Sequence, residues 1–178
     1  MAAGLLRQRP RRRQEHRRGS GRAATRGLRP VVRVIVCDTG PLVAAALYRD
    51  PDHRRCVDLF TGLRLANREI VLPSPIVAEV GYLLARKAGA QIEAFFLRSL
   101  AAGDFVPVDL TAADYARMAE LVEQYADLPL GTSDASVIAL AERLNVAEVA
   151  TLDLRHFTVV RPRHVRSLTL LPEPDPSR

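Results

Sequence analysis

Four acidic residues occupy positions where an α/β protein could use them for chemistry. Asp38 and Asp153 each directly follow an apolar, strand-like run. Asp134 falls in the first turn of a predicted helix, and Glu79 lies about one turn into another helix that follows a strand. In open parallel sheets, chemistry gathers at the carboxyl ends of the strands. The pattern therefore predicts that these four carboxylates meet at one edge of a sheet.

Each of these acids also has a structural explanation. Asp38 could cap the helix that follows it, Asp134 could complement a helix macrodipole, and Asp153 could open a turn. Glu79 is harder to explain in this way, because its neighbours are apolar and a carboxylate beside a buried stripe needs a partner. Arg86 lies about two helical turns from Glu79, which is too far for a salt bridge.

A divalent cation would resolve the repulsion among four carboxylates in one cleft. Mg²⁺ and Mn²⁺ prefer oxygen ligands and are typically held by one or two protein carboxylates together with substrate phosphate. Such a metal lowers the pKa of a bound water and offsets charge on the reacting phosphate. The four histidines have no zinc-ligand spacing and the chain has only two cysteines, so the sequence argues against zinc.

Strands alternate with helices along the chain, which predicts an α/β fold with a mostly parallel central sheet. The predicted strands cover 31–37, 69–73, 105–108, 148–152 and, at an edge, 167–171, with a further short strand at 159–161. The predicted helices cover 40–48, 51–67, 74–89, 90–102, 112–125 and 133–144. Ser74, Thr111 and either Thr132 or Ser133 are the expected helix caps.

Charge divides the chain unevenly. The first 33 residues hold 11 Arg and one acid, whereas the remaining 145 hold 15 basic and 19 acidic residues. Residues 1–30 are predicted to be a disordered Arg-rich extension. It is either a basic arm for nucleic acid or the product of a start assigned too far upstream. The folded domain is predicted over 31–172 and a frayed tail over 173–178. No apolar run is long enough to span a membrane, and the cysteine usage favours a cytoplasmic protein.

Four segments, in order along the chain, resemble the motifs of the PIN-domain family, and in particular its VapC-type ribonucleases. VIVCDTGPLVAAAL resembles the family's opening strand and Asp, and LPSPIVAEVGYLL resembles the helix that carries its Glu. LPLGTSDASVIALAERL and VATLDLRHF resemble the third and fourth motifs. The resemblance covers about residues 31–171 and implies a three-layer α/β/α PIN-like fold.

The resemblance also implies residue roles. Asp38 and Asp134 would be the main metal ligands, while Glu79 and Asp153 would complete the acidic pocket by ligation or by orienting the attacking water. Thr39 would support the pocket by hydrogen bonding.

Three further residues lie near these motifs. Asp127 precedes the third motif and could be a supporting acid, although an exposed loop position is the preferred interpretation. Arg155 and His156 could contact substrate phosphate, with a solvated surface position preferred for His156.

The activity implied by the resemblance is Mg²⁺- or Mn²⁺-dependent endonucleolytic cleavage of RNA. The protein would be the toxin of a toxin–antitoxin pair, blocked by a VapB-type antitoxin and commonly a homodimer. Two other classes of protein are alternatives to this activity. A phosphotransfer enzyme of the haloacid-dehalogenase or receiver type is disfavoured, because Gly40 occupies the position of the second acid and the only lysine, Lys87, lies in a helix. The alternative is a non-catalytic PIN-like module that binds RNA or protein.

Overall fold

The structure, a computed structural model, describes residues 33–173. Its central sheet has five strands, all parallel, in the order β3-β2-β1-β4-β5. The strands are β1 (Val34–Cys37), β2 (Glu69–Pro73), β3 (Val106–Val108), β4 (Glu148–Ala150) and β5 (Thr169–Leu171). The α/β class and the parallel sheet are therefore confirmed, and β5 lies at an edge as predicted.

Seven helices connect or flank the strands of the described region. They are α1 (Thr39–Ala46), α2 (His53–Leu65), α3 (Ser74–Ala88), α4 (Ala90–Ala102), α5 (Ala112–Gln124), α6 (Thr132–Leu144) and α7 (Leu154–Val159). Helices α1 to α4 pack against one another, and α5 packs against α6. Six of the seven were predicted from the sequence with bounds that differ by only a few residues.

The order of the strands explains the three layers. From β1 the chain moves to β2 and then β3 on one side, and it crosses back to place β4 on the other side of β1. Because crossover connections are right-handed, connections that run in opposite directions place their helices on opposite faces. The three-layer α/β/α arrangement is confirmed. The change of direction lies between β1 and β4, which is where open α/β sheets bind ligands.

Burial of the central strands follows from this arrangement. Ile35, Val36 and Cys37 of β1 are fully buried, as are Val149 and Ala150 of β4. Strands covered by helices on both faces lose the polar–apolar alternation of a half-exposed sheet, which is why β1 could be recognised as a continuous apolar run.

Two of the three predicted helix caps are wrong. Thr111 does cap α5, since its Oγ1 accepts from the Asp114 backbone N–H at 3.2 Å while the Asp114 carboxylate accepts from Thr111 N at 2.7 Å. Helix α3, however, is capped by Pro73, and the Ser74 hydroxyl lies 3.1 Å from the Val108 carbonyl at the end of β3. Gly131, rather than Thr132 or Ser133, is the N-cap of α6.

The predicted strand at 159–161 is also wrong. The VATLDLRHF segment leaves β4 at Ala150 and forms α7, which had not been predicted. Phe157 and Val160 are buried, and Val160 N still donates to the His156 carbonyl at 3.1 Å. Two β-branched residues in sequence favoured a strand, but burial of Phe157 from a helical turn prevails.

The predicted extension at 1–30 and residues 174–178 of the predicted tail lie outside the described residues. The domain boundaries drawn from the sequence therefore stay predictions. Within the part of the chain that the structure describes, no helix is both long enough and apolar enough to cross a membrane.

Candidate metal and phosphodiester site

Strands β1 and β4 end side by side and place their following residues together. Cys37 pairs with Ala150, and Asp38 N donates to the Ala150 carbonyl at 2.8 Å. The next polar residue on each chain segment is Asp38 after β1 and Thr151 after β4. The carboxyl ends of the two central strands thus form the base of a site at the point where the strand order reverses.

Asp38 is the most deeply buried acid of this site, with 5% of its surface exposed. Its Oδ1 accepts from Thr39 N at 2.7 Å as the cap of α1, and its Oδ2 accepts from the Thr151 hydroxyl at 2.8 Å. Burial raises the pKa of Asp38 to about 6; the two hydrogen bonds oppose that shift, and the charges of Asp134 and Glu79 add to it. Two of the distant acids therefore act electrostatically on Asp38.

Glu79 reaches the site from α3. Its Oε2 accepts a hydrogen bond from the Thr39 hydroxyl at 2.7 Å, which joins the start of α1 to α3 across 40 residues of sequence. The spacing predicted that Arg86 is too far from Glu79 to pair with it, and Arg86 donates instead to the Tyr82 hydroxyl. Glu79 is half-buried and requires a polar partner, and that partner is Thr39, another residue of the site.

Asp134 enters from the first turn of α6, where its Oδ2 accepts from Gly131 N at 3.3 Å. Its pKa is raised, mainly by burial, with the hydrogen bond from Gly131 and the charge of His156 opposing the shift and the charge of Asp153 adding to it. A carboxylate in this position would normally be stabilised by the helix N-terminus. The raised pKa shows that burial outweighs this stabilisation.

Asp153 caps the short helix α7 and meets Asp134 through a histidine. Its Oδ1 accepts from His156 N at 3.1 Å. The His156 Nδ1 lies 3.0 Å from Asp153 Oδ2 and 2.8 Å from Asp134 Oδ2, and the imidazole is only 15% exposed. The surface position preferred for His156 from the sequence is therefore wrong.

These groups surround one open cavity of about 760 Å³, which we call the acidic cavity. Its lining includes Asp38, Thr39, Glu79, Asp134, Asp153 and Arg155. The structure thus brings together the four predicted acids, the supporting threonine and the predicted arginine. Asp127 is exposed and does not line the cavity, so the loop interpretation of this residue agrees with the structure.

Asp38 caps its helix and Asp134 lies at a helix N-terminus, as their structural explanations predicted, whereas Asp153, expected to open a turn, caps α7 instead; none of these roles excludes a shared site. Asp38 and Asp153 are helix N-caps, and Asp134 binds the backbone N–H that precedes its helix. Helices that follow strands begin at the carboxyl edge of the sheet, so an acidic cap there also faces the ligand-binding crevice. Capping and convergence are two results of the same topology.

The donor set fits a hard divalent cation. Carboxylates from four chain segments face one cavity, and burial together with neighbouring negative charge raises the pKa of Asp38. Among the described residues, none of these four acids has an arginine or lysine within ion-pair distance. Oxygen donors with uncompensated charge are the environment that Mg²⁺ and Mn²⁺ prefer.

Sequence reasoning missed Thr151 and, although it named His156 as a residue near the site, preferred a surface position for it. Thr151 is 1% exposed, donates to Asp38 and accepts from Asp153 N at 3.0 Å, so it connects two acids. A hydroxyl at the end of an apolar strand, two residues before Asp153, was a signal available in the sequence. His156 lies one helical turn beyond Asp153, a spacing that brings the two side chains together only once α7 is known to be a helix.

The fold and the site together define a class of protein: an acidic α/β domain whose carboxylates converge at the switch point of a parallel sheet. The family model described as PIN domain matches residues 35–161. The chain therefore belongs to the PIN-domain family.

Individual relatives lie among the VapC proteins of that family. Ribonuclease VapC26 of Mycobacterium tuberculosis is 32% identical over 142 residues, a match that covers 78% of this chain and 100% of the relative. The crystal structure of M. tuberculosis VapC20, described as a sarcin-ricin loop cleaving toxin, has a TM-score of 0.63 at 16% identity and covers 74% of this chain and 98% of that one.

The crystal structure of VapBC2 from Rickettsia felis, bound to a DNA fragment from their promoter, is also similar in fold. Its TM-score is 0.55 at 19% identity, and the match covers 77% of this chain and 96% of that one. At these identities the two crystal structures establish the shared fold, while the VapC26 relative supplies the similarity in sequence.

Proposed function

We propose that this protein is a Mg²⁺- or Mn²⁺-dependent endoribonuclease that acts as the toxin of a toxin–antitoxin pair. The observation that carries the proposal is the convergence of Asp38, Glu79, Asp134 and Asp153 on one cavity at the end of β1 and β4. A curated relative at 32% identity, named as a ribonuclease, supports the reaction class.

The residue roles rest on the motifs shared with VapC-type ribonucleases, and burial agrees with them. Asp38 and Asp134 would be the main metal ligands, and both are more buried than Asp153. Glu79 and Asp153 border the same cavity and complete the ligand set or orient the attacking water. A bound divalent cation supplies a nucleophile at neutral pH and stabilises the charge that develops on the phosphate.

Two other side chains contribute without ligating the ion. Thr39 fixes Glu79 through the 2.7 Å hydrogen bond and, through its backbone N–H, fixes Asp38 as well. Arg155 is exposed at the cavity edge, where its guanidinium can bind an RNA phosphate. Local positive charge of this kind is needed, because the sequence after residue 33 has more acidic than basic residues.

The proposed partners follow from the same relatives. The substrate is RNA, and a VapB-type antitoxin is the proposed inhibitor, since a structural neighbour is a VapBC complex. A cytoplasmic location is proposed with this function, because the RNA substrate and the antitoxin would both be met in the cytoplasm. A homodimer is proposed because proteins that resemble VapC-type ribonucleases are commonly homodimers.

Cleavage of RNA with and without a chelator tests the proposal. We expect the protein to cleave RNA in Mn²⁺ or Mg²⁺, to lose activity in EDTA, and to lose it in Asp38→Asn. The matched control is Asp127→Asn, which removes an exposed acid outside the acidic cavity and should cleave normally. RNA binding that needs no metal and survives Asp38→Asn, without cleavage, would identify a non-catalytic binding module instead.

A further inference from the structure

His156 contacts both acids on one side of the acidic cavity. Its Nδ1 lies 2.8 Å from Asp134 Oδ2 and 3.0 Å from Asp153 Oδ2. The backbone N–H of His156 donates to the other oxygen of Asp153 at 3.1 Å. One residue therefore contacts both oxygens of Asp153, and its ring connects that carboxylate to Asp134 on a different helix.

The environment of Nδ1 determines which form of the ring it requires. The atom is buried, and neither oxygen lies at the angle of a linear hydrogen bond. A lone pair on Nδ1 would face two negatively charged oxygens, whereas a hydrogen there attracts both. A hydrogen on Nδ1 therefore fits this position better than a lone pair does, and the two carboxylates can share it.

Asp134 and Asp153 lie on different elements, α6 and the segment that follows β4. His156 is the residue of the site that contacts both carboxylates. Among the described residues, the other hydrogen bond to Asp134 comes from Gly131 N, at 3.3 Å. One oxygen of Asp134, one oxygen of Asp153 and a ring nitrogen of His156 all lie within 4.8 Å of one another. Two carboxylates this close repel each other unless a hydrogen-bond donor or a cation lies between them. Phe157, the buried neighbour of His156, anchors the helix that carries the imidazole.

We infer that His156 is a positioning residue for the proposed nuclease site: its Nδ1–H holds Asp134 and Asp153 side by side, at the separation at which both can serve one divalent cation. The inference rests on the proposed function for its catalytic consequence. Together with the two carboxylates, His156 could also offer a nitrogen to an ion. We assign it no ligand role, because His156 is not among the residues that line the acidic cavity.

Two substitutions at His156 distinguish the loss of the Nδ1 donor from the loss of the volume of the imidazole ring. The amide nitrogen of His156→Asn falls near the position of Nδ1, whereas that of His156→Gln falls near the position of Nε2. If the Nδ1 donor matters, His156→Asn should keep kcat within about threefold of the natural protein. His156→Gln should lower kcat about 10- to 100-fold, which is the effect expected when a group that orients metal ligands is lost. KM for RNA should stay unchanged in both, because His156 does not contact RNA.

His156→Ala provides a second measurement for the case in which Gln disturbs the fold. Free imidazole should restore part of the kcat lost in His156→Ala, because a ring in the vacated space again offers a donor to both carboxylates. His53→Gln is the matched control, since the His53 ring binds the Ala44 carbonyl away from the acidic cavity. It should have normal kcat and show no response to imidazole.

Binding of Mn²⁺ to the full chain, followed by electron paramagnetic resonance without RNA, tests the inference apart from activity. His156→Gln should bind Mn²⁺ about tenfold more weakly than the natural protein, and His156→Asn should bind it equally well. Equal Mn²⁺ affinity and equal kcat in Asn and Gln would overturn the inference. So would direct nitrogen coupling from histidine to the bound Mn²⁺, which would make His156 a ligand.

The two proposals can fail separately. A natural protein that cleaves no RNA, yet shows the Asn–Gln difference in Mn²⁺ affinity, contradicts the proposed function and retains the role of His156. A protein that cleaves RNA with no difference between the two variants retains the nuclease and rejects His156 as a positioning residue.

Discussion

The two ends of helix α6 place similar acids in opposite electrostatic environments. Near the C-terminus, Glu142 accepts from Arg117 Nε at 2.8 Å and Nη2 at 3.0 Å, and from Arg163 N at 2.9 Å. Burial alone would raise the pKa of Glu142, but the bonds from Arg117 and the contacts with Arg163 lower it overall. At the N-terminus, Asp134 has a raised pKa and, within residues 33–173, no guanidinium at ion-pair distance.

The difference separates an acid that stabilises the fold from one held ready for a ligand. A buried carboxylate that is already paired with arginine cannot also attract a cation, whereas an unpaired one remains available at a cost in stability. Arg117 is itself 8% exposed and carries a second acid, Glu120, at 3.1 Å. The α5–α6 end therefore neutralises its charges internally, and the cavity end does not.

Removing the charge at the cavity end should have the largest effect on activity. We expect Asp134→Asn to lower kcat at least about 1,000-fold, because loss of a metal ligand removes several kcal/mol of transition-state stabilisation. Stability should be unchanged or higher, because one of several clustered negative charges disappears while Asn can still accept from Gly131 N. Cleavage rates and urea unfolding midpoints check both parts. A large loss of stability would instead make Asp134 structural.

The same amide substitution at the other end should act in the opposite way. Glu142→Gln removes the two-pronged charged partner of the buried Arg117 and leaves it the half-exposed Glu120, so we expect a loss of about 3 kcal/mol in the free energy of unfolding. Per molecule of folded protein, cleavage should be nearly normal. Urea denaturation measures the effect, and Glu123→Gln on the exposed side of α5 is the control. The comparison breaks down if Glu142→Gln abolishes cleavage without altering stability.

The pH dependence of stability should show how much free energy the burial of the ionised Asp38 costs. Its pKa is raised to about 6, so the folded state holds this proton more tightly than the unfolded chain does. Stability contributed by the protonated form should therefore be lost as pH rises through the range from about 4 to 6. Between pH 4.5 and 7 in EDTA, we expect the natural protein to lose about 2 kcal/mol relative to Asp38→Asn.

Parallel urea titrations of the two proteins measure that difference, and acids common to both cancel. Saturating Mg²⁺ should reduce it, since an ion held by Asp38 stabilises the ionised form. A difference that stays constant with pH would contradict the raised pKa and with it the contrast between Asp38 and Glu142.

The smallest effect should come from the hydroxyl between two acids. Thr151→Val keeps the shape of the side chain but removes the donor to Asp38 and the acceptor of Asp153 N. We expect about a tenfold loss of kcat and about 1 kcal/mol of stability. Thr158→Val is the control, because the Thr158 hydroxyl is exposed and binds only the Leu154 carbonyl. Equal results for the two variants would place Thr151 outside the site.

Much of the fold was predictable because the signals are local. The apolar run of β1, the Thr111 cap and the period of α3 each depend on residues that are neighbours in sequence. The errors arise where another element prevails. Ser74 binds the end of β3 rather than its own helix, and residues 154–159 form a helix because Phe157 is buried.

The acids of the site were predictable for a related reason. Asp38 and Asp153 follow strands, and Asp134 starts a helix, so topology alone directs them to one edge of a parallel sheet. His156 was misassigned to the surface, because its contact with Asp153 requires residues 154–159 to form α7 and its contact with Asp134 requires α6 to lie beside the segment after β4.

The sequence by itself determined which residues are acidic, most of the strands and helices, and that Asp38 and Asp153 follow strands while Asp134 begins a helix. Only the tertiary structure decided which acids are neutralised and which are left to face the cavity. The reason is physical: residue type fixes a charge, but the energy of that charge depends on its burial and on the partners within a few ångströms. Arg117 of α5 pairs with Glu142 on α6, whereas among the described residues Asp134 on the same helix has the Gly131 N–H and the imidazole of His156 beside it.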